Sequence, residues 1–221
     1  MSDSTRHTDT RERLLDAAEY LFAQRGVDAT SLRHITAEAA ANLASVNYHF
    51  GSKEALFRAV FARRIGPVNQ ERLERLDACE RAAGQRPPEL ECVLEAFVAP
   101  ALRLRLDPAH GGEHFMCLMG RLYTEPHGLK TVIFEQFREV FQRFTEALHR
   151  CLPDMSREVL FWRLFFTVGS MAHTMSAGAI LEHFSQGHCD PADADKTIRY
   201  LTVFAAAGFG AALPESSGES T

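Results

Sequence analysis

Apolar residues recur at the spacing of an α-helix along most of the chain, with short polar breaks between the repeats. In residues 10–26 the apolar positions share one helical face: Leu14, Ala18, Leu21 and Phe22. Gly26 after Arg25 is typical of a helix end, where a cation also suits the helix dipole. No segment shows sustained strand alternation with turn signals. The pattern therefore predicts an all-α fold class.

Three further helices are predicted directly after the first. Thr30 or Ser31 can cap the second helix, whose inner face is formed by Leu32, Ile35 and Ala39. Asn42 can cap the third helix and Ser52 the fourth, whose buried stripe comprises Leu56, Phe57, Val60 and Phe61. The third helix carries a surface suited to a polar polymer: Ala44, Ser45, Asn47, Tyr48 and His49. The second and third helices together predict a DNA-binding helix-turn-helix.

Residues 10–64 resemble the N-terminal domain of the TetR family of transcriptional regulators. The resemblance is carried by the order of the four helices and by Val46-Asn-Tyr-His-Phe-Gly-Ser-Lys-Glu54. It implies a homodimer that binds double-stranded operator DNA, with repression as the family default. It also implies phosphate or base contacts from Arg33, Leu43, Ala44, Ser45, Asn47, Tyr48, His49 and Lys53. One departure is Ala40, which stands in the turn where glycine is frequent and would be strained at positive φ.

Composition and charge indicate where the protein works and which part of it can bind a polyanion. The chain has 221 residues and a formal net charge of −5, but residues 1–65 carry 9 basic and 8 acidic side chains, hence +1. The acidic surplus therefore lies in the second part, and the first part can bind phosphate if its cations share one face. No apolar run is long enough to cross a bilayer, and the N-terminus lacks a signal core. We therefore expect a cytoplasmic protein, with no membrane partner, whose five scattered cysteines are reduced.

The rest of the chain predicts a larger helical ligand-binding and dimerisation domain. We expect a DNA-binding domain at residues 1–64, this second domain at 65–213, and a mobile tail at 214–221. A break at Gly66-Pro67 precedes a polar helix over residues 68–83. The later helices are predicted over residues 89–106, 113–124, 129–152, 156–184 and 190–212.

The last two predicted helices are rich in small residues, from Gly169 to Ala179 and from Ala205 to Ala212. Small residues let helices approach closely, which fits either tight packing within one chain or a dimer interface. We favour a dimer interface built from two helices of each subunit, because reading two half-sites of DNA requires a two-fold dimer.

The second domain further resembles the fatty-acid-responsive, PsrA-like branch of the family. The similar segments are Met116-Cys-Leu-Met-Gly-Arg-Leu-Tyr-Thr-Glu-Pro126, residues 134–144, and residues 161–169 followed by His173. Sixteen Phe and six Met allow deformable apolar packing around a flexible ligand. A small apolar effector, most plausibly a fatty acid or its thioester, is therefore predicted to contact Phe97, Phe115, Met119, Leu122, Phe141, Trp162 and Phe166.

Arg121 is the charged residue within this apolar set. It can extend towards solvent, pair with a carboxylate such as Glu125, or meet an acidic group of the ligand. No catalytic elbow, phosphate-binding loop or dinucleotide fingerprint is present, so neither an enzymatic activity nor a cofactor is predicted. The alternative from another class is a helical enzyme or carrier that binds a small molecule and holds an incidental helix-turn-helix.

Overall fold

The computed structural model describes residues 3–105 and 134–212. All regular structure in these residues is helical, which confirms the all-α fold class. The helices are α1 Asp3–Arg25, α2 Leu32–Glu38, α3 Leu43–His49, α4 Lys53–Ala83, α5 Leu90–Arg105, α6 Arg138–Cys151, α7 Arg157–Ser176, α8 Gly178–Phe184 and α9 Ala194–Gly210. Several predicted features lie outside the described residues: Phe115, Met119, Arg121, Leu122 and the tail at 214–221.

The starts of the first helices follow the predicted caps. The Ser31 hydroxyl accepts a hydrogen bond from the backbone N–H of His34 at 3.2 Å, and Asn42 Oδ1 accepts one from the N–H of Ser45 at 2.8 Å. Ser52 Oγ accepts one from the N–H of Ala55 at 3.1 Å. Each bond satisfies a donor that the first turn of a helix leaves without a partner. α1 ends as predicted, with Gly26 at φ +82° directly after Arg25.

The predicted break at Gly66-Pro67 is wrong, because α4 runs without interruption from Lys53 to Ala83. A proline inside a helix removes one backbone hydrogen bond and costs about 3 kcal/mol. Ile65 and Val68 are both buried on either side of the proline, so packing of the flanking turns opposes the break. Pro67 itself is exposed, which leaves its ring clear of this core.

Two long predicted helices are interrupted in the structure. The first has a turn at Gln136 and Phe137, where the Gln136 carbonyl accepts a hydrogen bond from Asn69 Nδ2 at 2.8 Å. The second is divided at Ala177 into α7 and α8, whose axes differ by 77°. Ser176 Oγ donates to the carbonyl oxygens of Ala172 and His173, which competes with continuation of the helical ladder.

The described residues form two compact units. One comprises residues 1–74 and 100–143, and the other comprises residues 75–99 and 144–221. This grouping differs from the predicted division after residue 64, which stays a prediction about functional domains. The core of the first unit includes Leu14, Phe22, Ile35, Val46, Phe57 and Phe61, and that of the second includes Leu76, Val93, Phe97, Phe144, Leu160 and Phe209.

The prediction that all cysteines are reduced is wrong for two of them. The sulfur atoms of Cys79 and Cys92 are bonded, with their Cα atoms 6.0 Å apart. Cys151 and Cys189 are free thiols. The two bonded residues are only 13 positions apart, but no Cys-x-x-Cys spacing marks them in the sequence.

In the described part of the chain, one bent pair of helices has the length and apolar composition of a membrane span. No single helix there combines the length and apolar character needed to cross a bilayer. α7 and α8 meet those criteria only when they are counted together across their bend.

Candidate nucleic-acid interface

The turn between α2 and α3 holds Ala40 at a positive φ, the conformation in which strain was predicted for an alanine. Ala40 adopts φ +46°, a left-handed value that L-residues other than glycine rarely take. The N–H of Ala41 donates to the carbonyl of Thr36 at 2.9 Å and closes the end of α2. Arg13 of α1 donates from Nη1 to the carbonyl of Ala39 at 3.2 Å and approaches that of Ala40 at 3.5 Å. A side chain from α1 therefore holds the strained turn.

α3 is held on its inner side and open on its outer side. Val46 is fully buried in the core of the first unit. At the start of the helix, Asn42 Oδ1 accepts hydrogen bonds from both the N–H and the hydroxyl of Ser45. The buried anchor and the N-cap fix the rotation and the start of this short helix, because both engage its first turns. The side chains on the opposite face are then presented in a defined direction.

Most predicted DNA contacts lie on this outer surface. Leu43, Ala44, Asn47 and Tyr48 are exposed on α3, and Arg33 is exposed on α2. Tyr48 has 76% of its surface exposed. Ser45 and His49 are half-buried at the edge of this surface, and the His49 ring lies 5.0 Å from the Tyr48 ring. Contact of these residues with DNA stays a prediction.

Lys53 has a local role that the sequence did not predict. Its Nζ donates to the carbonyl oxygens of Val27 at 3.0 Å and Thr30 at 3.2 Å. These carbonyls belong to the loop between α1 and α2, so the ammonium group ties the start of α4 to that loop. A phosphate contact from Lys53 stays a prediction, and it would share the ammonium group with these two bonds.

Sequence reasoning also missed the charged contacts between α1 and α4. Glu19 has only 2% of its surface exposed and accepts hydrogen bonds from Arg63 and from Arg64 Nε, the latter at 2.7 Å. Arg63 also donates to Asp16 at 2.7 Å. No sequence signal identifies this cluster, because its acidic and basic members lie more than 40 positions apart.

The protonation of this region follows from its contacts. Burial by itself lowers the pKa of Arg63, but the hydrogen bonds that its guanidinium donates to Glu19 and Asp16 outweigh it and raise the pKa above its ordinary value. Hydrogen bonds from its own backbone N–H and from Ser52 lower the pKa of Glu54, at the start of α4. The carboxylate is therefore ionised at neutral pH, at the helix end where negative charge is favoured.

The predicted ligand residues do not share one environment. Phe97 is buried against Phe144, with ring centroids 5.1 Å apart, and Phe141 is half-buried, 6.5 Å from the ring of Phe137. Trp162 and Phe166 are 54% and 61% exposed on the outer face of α7. These two rings therefore lie at the surface of the described chain, and their contact with a ligand stays a prediction. α7 carries apolar residues on two faces, and only one of these faces packs inward.

One buried cation was not among the predicted residues. Arg72 of α4 is almost fully buried, and its Nη1 donates to Asn69 Oδ1 at 3.1 Å. Burial lowers its pKa to about 10, which leaves the guanidinium charged at neutral pH. The charged residue that the sequence singled out instead, Arg121, lies outside the described residues.

The order of α1 to α4 is that of a domain built around a helix-turn-helix. Residues 14–60 match the family described as "Bacterial regulatory proteins, tetR family". Residues 95–208 match the family described as "Tetracyclin repressor-like, C-terminal domain". The chain therefore belongs to the TetR family of transcriptional regulators. No curated protein is significantly similar to the chain in sequence.

Solved structures of similar proteins cover nearly the whole chain. The fatty acid degradation regulator FadR from Bacillus halodurans is 12% identical, with a TM-score of 0.64 over 88% of this chain and 94% of its own. SmeT, the repressor of the Stenotrophomonas maltophilia multidrug efflux pump SmeDEF, is 20% identical, with a TM-score of 0.60 over 90% and 91%. A TetR-family regulator from Bordetella parapertussis is 19% identical, with a TM-score of 0.57 over 86% and 93%. At these identities the similarity shows a shared fold.

Proposed function

We propose that this regulator is a cytoplasmic homodimer that represses transcription and leaves its operator when it binds a small apolar acid, most plausibly a fatty acid or its thioester. The observation that carries the DNA-binding part is the outer face of α3, where Asn47 and Tyr48 are exposed while Val46 anchors the helix. A carrier or enzyme with an incidental helix-turn-helix gives no reason for a fixed, solvent-facing surface of this kind. We therefore favour the regulator.

A homodimer is supported by the outer faces of α7 and α9. Both helices expose large apolar side chains: Phe161, Trp162, Phe165 and Phe166 on α7, and Tyr200, Val203 and Phe204 on α9. α7 and α9 pack against each other in one unit, so these side chains belong to a single compact body. Large exposed apolar patches are rare on monomers and often mark interaction sites. A second copy of the same face would cover these side chains about a two-fold axis, and two-fold symmetry is also what paired half-sites of operator DNA require.

The small residues that suggested dimerisation in the sequence have different environments. Gly178 is buried at the start of α8, whereas Gly169 and Gly208 are exposed, with open space where a Cβ atom would lie. The last two open onto the apolar faces of α7 and α9, where a second helix could approach closely. Phe165 and Phe204 are accordingly better residues for testing the interface than Gly178.

The choice of ligand class is supported by two similarities. The second domain resembles the PsrA-like branch, and one protein with the same fold is described as a fatty acid degradation regulator. Another protein with this fold is described as the repressor of a multidrug efflux pump, so the fold alone does not select the ligand. Of the predicted contacts within the described residues, Phe97 and Phe141 are the two that are not exposed, and they are the positions to test first.

A chain of aromatic rings offers a route from Phe141 to the DNA-binding core. Successive ring centroids are 6.5 Å apart for Phe141 and Phe137, 6.1 Å for Phe137 and Phe61, and 6.5 Å for Phe61 and Phe57. The last step joins Phe57 to Phe22 of α1 at 5.6 Å. All five residues belong to one compact unit. A ligand that displaces Phe141 would therefore perturb packed neighbours up to the core beneath α3.

The energetic requirement for such a switch is modest. The ligand must bind better to a conformation in which the two α3 helices of the dimer are misplaced for the operator. A coupling of about 1–3 kcal/mol changes DNA affinity about 5- to 150-fold. Two packed elements could each take two positions and so carry this coupling. One is α4, which follows the helix-turn-helix, and the other is the ring chain through Phe57 and Phe61.

The proposal is tested by adding a chain-length series of fatty acids to the full-length protein and measuring thermal unfolding. We expect the melting temperature to rise with chain length to an optimum and then to fall, because the proposed binding site would accept a chain of limited length. Phe141→Trp should reduce that response, whereas Phe134→Trp, at an exposed position, should leave it unchanged. The absence of any shift across the series would exclude the fatty-acid assignment.

A further inference from the structure

Two cysteines join the end of α4 to the start of α5. Cys79 lies in the last two turns of α4 and is buried, whereas Cys92 lies in the first turn of α5 and is exposed. Their Cα atoms are 6.0 Å apart, within the usual range for a disulfide. The connection between the helices is short and begins with Gly84 at φ +64°. The geometry therefore brings both sulfur atoms within bonding reach.

Contacts other than the disulfide hold this helical hairpin in place. Leu76 of α4 and the pair Val93 and Leu94 of α5 are buried in the core of the same unit. The guanidinium of Arg150 on α6 pairs with Glu80 of α4 at 2.9 Å. The Cys151 thiol donates to the carbonyl of Pro88, just before α5, at 3.1 Å. Because these contacts do not involve Cys79 or Cys92, opening the disulfide leaves its sulfur atoms close enough to rejoin.

We propose that Cys79 and Cys92 form a reversible thiol–disulfide switch, closed by a hydroperoxide and opened by a thiol reductant, that sets how firmly the last turns of α4 are held to α5. Intracellular disulfides in most organisms are transient and serve catalysis or redox sensing. The exposure of Cys92 gives an oxidant or a reductant access to one sulfur. The burial of Cys79 reserves the second sulfur for the intramolecular step.

Oxidation of the pair begins at the exposed sulfur of Cys92. The Cys92 thiolate attacks one oxygen of the hydroperoxide, the O–O bond breaks, and the alkoxide takes a proton and leaves as an alcohol. The Cys79 thiolate then attacks the sulfenic sulfur of Cys92, the S–S bond forms, and hydroxide leaves as water after taking a proton. The two sulfur atoms give up two electrons in total, and these reduce the hydroperoxide. A dithiol reductant reverses the outcome by exchange at the exposed Cys92 sulfur.

Cys151 provides a contrast within the same unit. Burial raises the pKa of its thiol to about 11, so it stays protonated near neutral pH and reacts slowly as a nucleophile. Its hydrogen bond to Pro88 fits a structural role beside the hairpin. Cys151→Ser therefore serves as a control that removes a neighbouring sulfur without removing the switch.

The consequence for DNA rests on the proposed function. α4 is a single helix that begins at Lys53, beside the loop between α1 and α2, and ends at Ala83, beyond Cys79. Fastening one end of a continuous helix restricts the positions that the helix can adopt. The oxidised and reduced forms should therefore differ in operator affinity, and in their response to the proposed ligand.

The experiment treats the full-length reduced protein with cumene hydroperoxide and follows intact mass, disulfide peptides and thermal unfolding. We expect the loss of two hydrogens, a Cys79–Cys92 peptide, a melting temperature about 5 °C higher, and full reversal by dithiothreitol. Cys92→Ser, at an exposed position, and Cys79→Ala should abolish all of these changes, whereas Cys151→Ser and Cys189→Ser should keep them. Pairing of Cys92 with another cysteine, or oxidation to sulfinic acid without a disulfide, would overturn the proposal.

DNA affinity is measured separately on the two forms. A difference that Cys92→Ser removes supports the link between the switch and the regulator. Equal affinity of both forms overturns that link, even if the disulfide cycles reversibly. Failure of either form to bind any selected DNA instead refutes the proposed function, while the mass and unfolding measurements still decide whether the thiol pair is a switch.

Discussion

Arg13 of α1 holds the turn at Ala40, although the two residues are 27 positions apart in the chain. Its guanidinium donates to the carbonyl of Ala39 at 3.2 Å and approaches that of Ala40 at 3.5 Å. Ala40 has φ +46°, where an L-residue loses about 1–2 kcal/mol to steric contact. The rotation of α3 therefore depends on a strained backbone that a side chain of α1 supports.

Replacing Ala40 by glycine should stabilise the protein. Ala40 is exposed, so the substitution removes strain without removing packing, and the larger entropy of unfolded glycine offsets part of the gain. We expect the free energy of unfolding to rise by about 0.5–1 kcal/mol in chemical denaturation. Ala37→Gly, at an exposed helical position of α2, should instead lower it by about 1 kcal/mol. Equal losses in both variants would mean that Ala40 is not strained.

Glu19→Gln should destabilise the first unit strongly. Glu19 is buried and accepts hydrogen bonds from Arg63 and Arg64, so its neutralisation leaves two partly buried cations with a weaker partner. We expect a loss of about 2–4 kcal/mol in denaturant unfolding. Glu12 pairs with the same Arg63 at 3.4 Å but is far more exposed, and Glu12→Gln should cost less than about 1 kcal/mol. Similar losses for the two variants would contradict the buried role of Glu19.

The first three helices and the start of the fourth could be predicted from the sequence because their signals are local. Ser31, Asn42 and Ser52 act within one turn of their own helices, and a residue such as Gly26 ends a helix by its own backbone freedom. The continuous α4 could not be predicted in this way. Its passage through Pro67 depends on the burial of flanking residues, which is a property of the tertiary structure.

The candidate sites were predicted to different extents for the same reason. The exposed face of α3 follows from helical spacing and the resemblance to the family. The Glu19 cluster and the Cys79–Cys92 bond join positions on different helices, and single-sequence periodicity carries no information about such pairs. The exposure of Trp162 and Phe166 could not be predicted, because α7 is apolar on two faces and the sequence does not show which face packs inward.

Alkylation should distinguish Cys151 in the folded and unfolded protein. The thiol pKa is raised to about 11 from 9.0, so at pH 8 the reactive thiolate should be about 100-fold scarcer in the folded state. We expect iodoacetamide labelling of Cys151, read by peptide mass spectrometry, to be slow in buffer and faster in urea. The folded rate should increase as the pH rises towards 11. Equal folded and unfolded rates at pH 8 would show that burial does not protect this thiol.

Phe165→Asp should produce monomers that remain folded. Phe165 is exposed on the apolar face of α7, so the charge does not disturb the core of one chain but is expensive to bury between two chains. We expect sedimentation at micromolar concentration to show dimers for the wild type and monomers for the variant, with unchanged helical circular dichroism. Phe134→Asp, which is exposed in the other unit, should remain dimeric. Dimers of Phe165→Asp would place the interface elsewhere.

The proposed function requires that the outer face of α3 bind DNA and that an apolar acid release it. The most direct measurement is fluorescence anisotropy of the full-length protein with a duplex selected from a random library, at low and high salt, with and without the most stabilising fatty acid. We expect tight binding that weakens with salt and decreases at least about fivefold with ligand. Asn47→Ala should change the sequence preference, whereas Arg81→Ala, exposed near the end of α4, should behave as wild type. No preference for the selected duplex over a scrambled one, or an affinity that no fatty acid changes, would contradict the account.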